Sequence, residues 1–171
     1  VICPASVLHN WRREAEKFTP HMKVLVLESG NARHNLRKQI PQHDIIITNY
    51  ALLRRDLEEL QKFDFGAMVL DEAQFIKNPQ AQITQSVKQL QAEQRLALTG
   101  TPLENRLLDL WSIMDFIQPG YLGTQADFVE RYEPKGGESA EWSGKVARRR
   151  LAARLRPLMI RRVKKQVAKD L

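Results

Sequence analysis

Two adjacent carboxylates, Asp71 and Glu72, follow directly on an aliphatic run in VLDEAQFIKN, residues 69–78. Charge beside apolar side chains is costly to bury, so the pair demands a reason. An aliphatic strand ending in Asp-Glu can set one carboxylate on the water shell of a magnesium ion and the other beside the water that attacks a phosphate. A strand that merely turns into an acidic loop has the same letters. LTGTPLEN, residues 98–105, supplies a second signal: it also follows an aliphatic run, and Thr99, Gly100 and Thr101 bring two hydroxyls and a flexible backbone. Thr99 and Thr101 can sense a phosphate or bridge to Asp71 and Glu72, while threonines also cap ordinary Gly-Pro turns. Two such motifs at neighbouring strand ends favour chemistry.

The elements that must position these residues are short aliphatic runs separated by amphipathic ones. KVLVLE, DIIITNY, AMVLDE and RLALTGT read as buried strands. Leu8, Trp11, Ala15 and Phe18 fall on one helical stripe, as do Leu53, Leu57 and Leu60, and then Ile83, Val87 and Leu90. Asn78 and Pro79 predict the N-cap and first turn of the third of these helices. Strand–helix alternation implies crossover units, hence an α/β fold with a mostly parallel sheet covered by helices on both faces. Ligands of such sheets bind beyond the carboxyl ends of the strands, which is where Asp71 and Glu72 would stand. Beyond Thr101, NRLLDLWSIMDFIQPGYLG predicts a helix with Leu107, Trp111, Met114 and Ile117 on one side, closed by Pro119 and Gly120. Residues 133–145 read as an exposed loop, followed by a basic helical segment. VICP resembles the end of a buried strand, so the chain is expected to begin inside a larger fold.

Composition narrows the function classes. The net charge of +7 is uneven: residues 142–171 carry eleven Lys and Arg against one acid. Such a block suits either a solvated helical face or contact with phosphates. Cys3 is the single cysteine, and the histidines at 9, 21, 34 and 43 show no ligand spacing, so neither a disulfide nor a zinc site is expected. No apolar run reaches bilayer length and no signal-peptide pattern opens the chain; the expectation is a soluble intracellular protein with no membrane partner. A phosphate-gripping G-x-x-x-x-G-K-[ST] loop is missing from the sequence. SGKV at 143–146 only mimics one, with Ser139 in place of the first glycine and Val146 in place of the hydroxyl residue.

VLDEAQFIKNPQAQITQSVKQL and RLALTGTPLENRLLDLWSIMDFIQPGYLG, together with VICPASVLHNWRREAEKF, IIITNYALLRRD and LRPLMIRRVKKQVAKDL in that order, resemble the first motor lobe of the Swi/Snf family of superfamily-two helicase-like ATPases. The resemblance covers nearly the whole chain. Gln74, where Asp-Glu-Ala-His is more familiar, and Glu104, where many members carry Gln, suggest a bacterial or archaeal branch. The implied fold is RecA-like: a partial first lobe over residues 1–120, truncated at its N-terminus and lacking the phosphate loop, then a helical extension over 121–171 leading to a second lobe. The implied activity is ATP-driven translocation on double-stranded DNA, with ATP and Mg2+ used by the full-length parent and the fragment alone inactive. Position by position, Asp71 would order magnesium through water, and Glu72 would polarise the attacking water. Gln74 would couple the nucleotide to the other lobe, and Thr99, Gly100 and Thr101 would relay nucleotide state to DNA grip. Pro4, Thr48, Asn49 and Tyr50 would lie along the DNA path, although Tyr50 and Trp11 also suit core positions. Arg161 and Arg162 would bind phosphates or form interlobe salt bridges. Expected partners are duplex DNA and the second lobe. The compartment would be the nucleoid-containing cytoplasm in a prokaryote and the nucleus in a eukaryote. A non-catalytic binding module of the same fold, or an RNA helicase or restriction-type translocase of the same superfamily, are the competing readings.

Overall fold

The structure is a computed structural model that describes residues 1–30, 33–100, 107–133 and 140–161. Five parallel strands form one sheet: β1 (Ile2–Cys3), β2 (Val24–Val26), β3 (Ile45–Asn49), β4 (Phe65–Leu70) and β5 (Ala92–Ala97), in the order β2-β3-β1-β4-β5. The helices are α1 (Leu8–Phe18), α2 (Arg33–Arg37), α3 (Tyr50–Arg55), α4 (Leu57–Leu60), α5 (Gln82–Gln89), α6 (Leu107–Ile117), α7 (Gln125–Tyr132) and α8 (Ala140–Leu155), with a 3₁₀ turn at Ala73–Ile76. The chain divides into two compact units, Val1–Gly123 and Thr124–Leu171.

The two-residue period of strands sorts the first unit's aliphatics between two faces. On one face Cys3, Ile47, Val24, Val26 and Ile45 pack against Leu8 and Trp11 of α1. On the other, Ile2, Leu25, Met68 and Leu70 meet Leu53, Leu60, Val87, Ile113 and Phe116 from α3 to α6. The sheet is thus parallel with helices on both faces, as the alternation predicted. α1 lies mainly over β2 and β3, and β5, predicted as buried, is an edge strand with Leu96 53% exposed.

Local expectations were revised where side-chain contacts outweighed pattern. The Leu53–Leu57–Leu60 stripe is two short helices broken at Asp56, whose buried carboxylate receives the Arg37 guanidinium at 2.9 Å. Asn78 and Pro79 precede α5 rather than opening it. The Asn78 side chain accepts from Gln80 N and its carbonyl accepts from Ala81 N and the Thr84 hydroxyl, which spends these groups on a turn and delays the helix to Gln82. Phe18, expected on the packed stripe of α1, is 69% exposed at the helix end, with the Lys17 ammonium over its ring. α6 buries Leu110, Ile113 and Phe116 in addition to Trp111 and Met114, so it is apolar on more than the one side predicted. Residues 140–145 of the expected loop belong to α8. In the second unit, α7 opens with a capping box in which Thr124 and Asp127 bond each other's backbone N–H; the Thr124 hydroxyl, followed by its backbone N–H, holds the Asp127 carboxyl below its ordinary range.

Candidate functional site

The carboxyl ends of β1, β3, β4 and β5 lie at one rim, because the strands are parallel and in register: Cys3 pairs with Asn49, Ile2 with Leu70, and Leu70 with Ala97. Pro4, Asn49, Asp71 and Thr99 therefore emerge side by side. After β1 the chain crosses to the α1 face and moves toward β2. After β4 it crosses to the opposite face and moves toward β5. Connections that diverge from adjacent strands open a crevice between them, and Asp71 and Glu72 are at its mouth.

Both oxygens of Asp71 are held. Oδ1 accepts from Glu72 N at 2.9 Å, and Oδ2 accepts from Trp11 Nε1 at 2.8 Å, a bond from α1 across the crevice. The Asp71 backbone N–H donates to Ile2 O and its carbonyl accepts from the Tyr50 hydroxyl at 2.7 Å. Each carboxylate oxygen retains a second lone pair, and the side chain is half-buried. Neither Asp71 nor Glu72 meets a Lys or Arg among the described residues. Burial first, and then the negative charge of Asp71, pushes the Cys3 thiol up to about 11 and also raises the Tyr50 hydroxyl.

Glu72 has left-handed backbone, φ 51° and ψ 53°, alone among the described non-glycine residues. That conformation costs an L-residue about 1–2 kcal/mol. It is fixed from both sides by Asp71 Oδ1 on the Glu72 N–H and by Ala73 N donating to Leu98 O at 2.8 Å. Beyond it the 3₁₀ turn is pinned by Ser112 Oγ on Ile76 O at 2.6 Å. The result aims Glu72 Oε2 at Gln74 Nε2, 2.7 Å away, while Gln74 Oε1 accepts from Thr99 Oγ1 at 2.8 Å. A continuous side-chain relay thus runs from the carboxylate after β4 to the hydroxyl after β5. Gly100 follows, exposed and with open space where a Cβ would stand. Thr101 lies outside the described residues.

Over residues 1–171 the sequence matches the SNF2-related domain family. The chain belongs to that family. Among SNF2-related relatives it is 39% identical over 180 residues to the TATA-binding protein-associated factor MOT1 of Saccharomyces cerevisiae, matching 100% of this chain and 10% of that protein. It is 39% identical over 171 residues to an ATP-dependent helicase, uncharacterized, of Mycoplasma pneumoniae, matching 100% of this chain and 16% of that protein. The Sulfolobus solfataricus SWI2/SNF2 ATPase core in complex with dsDNA superposes with a TM-score of 0.84 at 41% identity, over 98% of this chain and 34% of that one. The chain therefore spans a small part of each relative's length, and its RecA-like fold is that of an SNF2 ATPase core.

Against that family frame, the predicted residues separate into rim and interior. Asp71, Glu72, Gln74 and Thr99 are joined directly, and Pro4 and Asn49 stand half-buried at the same rim. Asn49 spends its Oδ1 on Leu52 N, capping α3. Thr48 and Tyr50, expected along the DNA path, are interior at 5% and 3% exposure, as the core alternative for Tyr50 allowed. The alternation of β3 turns Thr48 inward. Tyr50 is drawn in by its bond to Asp71 O and by a parallel stack on Phe75, centroids 4.8 Å apart. Arg161 is exposed in the second unit, and Arg162 lies outside the described residues.

Sequence reasoning missed Trp11 as a partner of Asp71, since its helical stripe marked it only for packing. Replacing it by Phe keeps most of the apolar ring and deletes the donor. Trp11→Phe is expected to lower the unfolding free energy of the chain by about 1.5 kcal/mol, the scale of a hydrogen bond to a charged group. Urea titration measures this, and an unmoved midpoint would mean the indole N–H does as well in water.

Proposed function

We propose that this chain is part of the first RecA-like lobe of an ATP-driven motor that moves along double-stranded DNA, and that Asp71 and Glu72 serve ATP hydrolysis. The observation that carries the reading is the relay Glu72–Gln74–Thr99 at the strand rim, built on a strained Glu72 backbone. Strain held in place by surrounding bonds is typical of sites where geometry serves chemistry. Membership in the SNF2-related family and likeness to an ATPase core in complex with dsDNA support the same assignment. Val1–Gly123 would be the body of the lobe and Thr124–Leu171 its helical extension toward a second lobe.

The donor set suits magnesium. Among the described residues no cluster of three or more His, Cys, Asp or Glu could cage a metal, and Mg2+ commonly uses one or two carboxylates, several waters and the substrate's phosphates. The free lone pairs of Asp71 would accept from the ion's water shell. When bound, the ion would neutralise charge developing on the transferred phosphoryl group. Trp11 and Glu72 N orient the Asp71 carboxylate. Glu72 would use Oε1, which has no protein donor among the described residues, to accept a proton hydrogen bond from the attacking water. Gln74 and Thr99 would transmit the state of that carboxylate to the loop after β5. Pro4, Asn49, Arg161 and Arg162 remain the proposed contacts to DNA, with Thr48 and Tyr50 supporting the rim from within. The working compartment would be one that holds DNA, nucleus or nucleoid.

Phosphate release by the full-length parent tests this. Duplex DNA is expected to stimulate it, and rates unaffected by duplex DNA would end the reading. The 171-residue chain alone is expected to show neither tight ATP binding nor turnover, because it contains no phosphate-gripping loop. DNA-stimulated hydrolysis by that chain would overturn this part.

A further inference from the structure

The charge of the molecule is concentrated in the second unit. Val1–Gly123 has fourteen basic and fourteen acidic residues, and Thr124–Leu171 has thirteen basic against six acidic. Among the described side chains of α8, Leu151 and Leu155 are buried and define the packed face, with Ala147 one turn earlier half-buried. Lys145, Arg148 and Arg149 on α8 are exposed, as is Arg156 just past its end, where Arg156 N still donates to Ala152 O. At 100° per residue, Lys145, Arg149 and Arg156 form one stripe away from the packed face, with Arg148 on its shoulder. The small residues Ala152 and Ala153 fill the exposed gap between the second and third turns of that stripe. Among the described residues none of these four cations meets a carboxylate. A solvated helix of ordinary composition intersperses Glu at i−4 to such residues. Here Glu141 stands at i−4 to Lys145, but the i−4 positions of Arg148, Arg149 and Arg156 are Gly144, Lys145 and Ala152, none of them acidic.

The geometry points to a second, sequence-independent docking surface for duplex DNA on this stripe, contacting phosphates and sharing no residue with the strand rim. The stripe runs about 16 Å from Lys145 to Arg156 at about 1.5 Å per residue. That matches roughly five phosphates of one strand at about 3.4 Å of axis each. Alanines at the centre let the duplex backbone approach, and long flexible cations at both ends reach successive phosphates. Unneutralised positive charge is the chemistry that condensed counterions on DNA exchange for, so this surface gives grip without ATP and without base readout. The inference rests on DNA as the partner in the proposed function, but on none of the assigned rim residues.

The test uses the 171-residue chain and a fluorescein-labelled duplex of random sequence, with affinity measured against salt. In the variant Lys145→Gln/Arg148→Gln/Arg149→Gln/Arg156→Gln, the slope of log K against log salt should become shallower by about 2–4, near 0.9 per lost phosphate contact, and low-salt affinity should fall about tenfold or more. Arg148→Lys/Arg149→Lys/Arg156→Lys should keep the slope, because point charge suffices for phosphates. A control that removes equal charge from the first unit, Arg13→Gln/Lys17→Gln/Lys38→Gln/Arg55→Gln, should change the slope by less than 1. An unchanged slope in the α8 variant with DNA still bound overturns the α8 surface alone. A control effect as large as that of the α8 variant does the same, as does loss of poly-glutamate binding with DNA binding intact, which would assign the stripe to acidic proteins. No DNA binding by the unaltered chain overturns the α8 surface, while DNA-stimulated phosphate release by the parent still tests the motor reading separately.

Discussion

Glu72→Gln in the full-length parent is expected to leave ATP and duplex DNA affinities near normal while turnover falls by about two to four orders of magnitude, the scale of losing a positioned proton acceptor. The substitution suits the geometry. Gln preserves length, and its side-chain oxygen can still accept from Gln74 Nε2 across the 2.7 Å contact, so the relay to Thr99 and the left-handed backbone survive. What disappears is the negative charge that orients water. Pre-steady-state phosphate release measures the chemical step separately from product loss. Turnover within a few-fold of the unaltered parent would show that Glu72 is not the carboxylate that activates water, and the proposed roles of the rim would have to be reassigned.

The second large effect is on stability. Arg37 and Asp56 form an ion pair at 2.9 Å with only 11% and 6% of their side chains exposed. Arg37→Met removes the cation and leaves the carboxylate in the interior, which is expected to cost about 3 kcal/mol. For a chain of this size each kcal/mol lowers the melting temperature by about 2–4 °C, giving a drop of roughly 6–12 °C. The double variant Arg37→Met/Asp56→Leu should recover most of the loss, since two apolar side chains of similar volume need no partner. Calorimetry on the three proteins decides it. A single variant that melts with the unaltered chain would show that the Asp56 carboxylate is held well enough without the Arg37 guanidinium.

These two sites differ in how they could be foreseen. Asp71 and Glu72 are legible in the sequence because a second motif, LTGTPLEN, follows another aliphatic run; an acidic pair after one strand is common on its own. Arg37 and Asp56 are not: each sits among other charged residues in a polar-looking stretch, and their burial follows only from how α2 packs beside the break between α3 and α4. The same reason explains the burial of Thr48 and Tyr50. The family resemblance implies a place for both along the DNA path, and the pleat of β3 and the bond from Tyr50 to Asp71 O turn both side chains inward.

By itself the sequence determined the alternation of strands and helices, hence the parallel α/β sheet. It also placed the acidic pair and the Thr-Gly turn at strand ends and located the charge excess in residues 142–171. These are properties of neighbours along the chain, set by periodicity and by the cost of burying charge. Tertiary structure alone decided the strand order, which puts β1 between β3 and β4 and opens the crevice at their carboxyl ends. It likewise decided that Trp11 reaches Asp71 from 60 residues away and that Gln74 links Glu72 to Thr99. Local pattern cannot specify such contacts, because hydrogen bonds between distant residues depend on how packed elements are arranged in space.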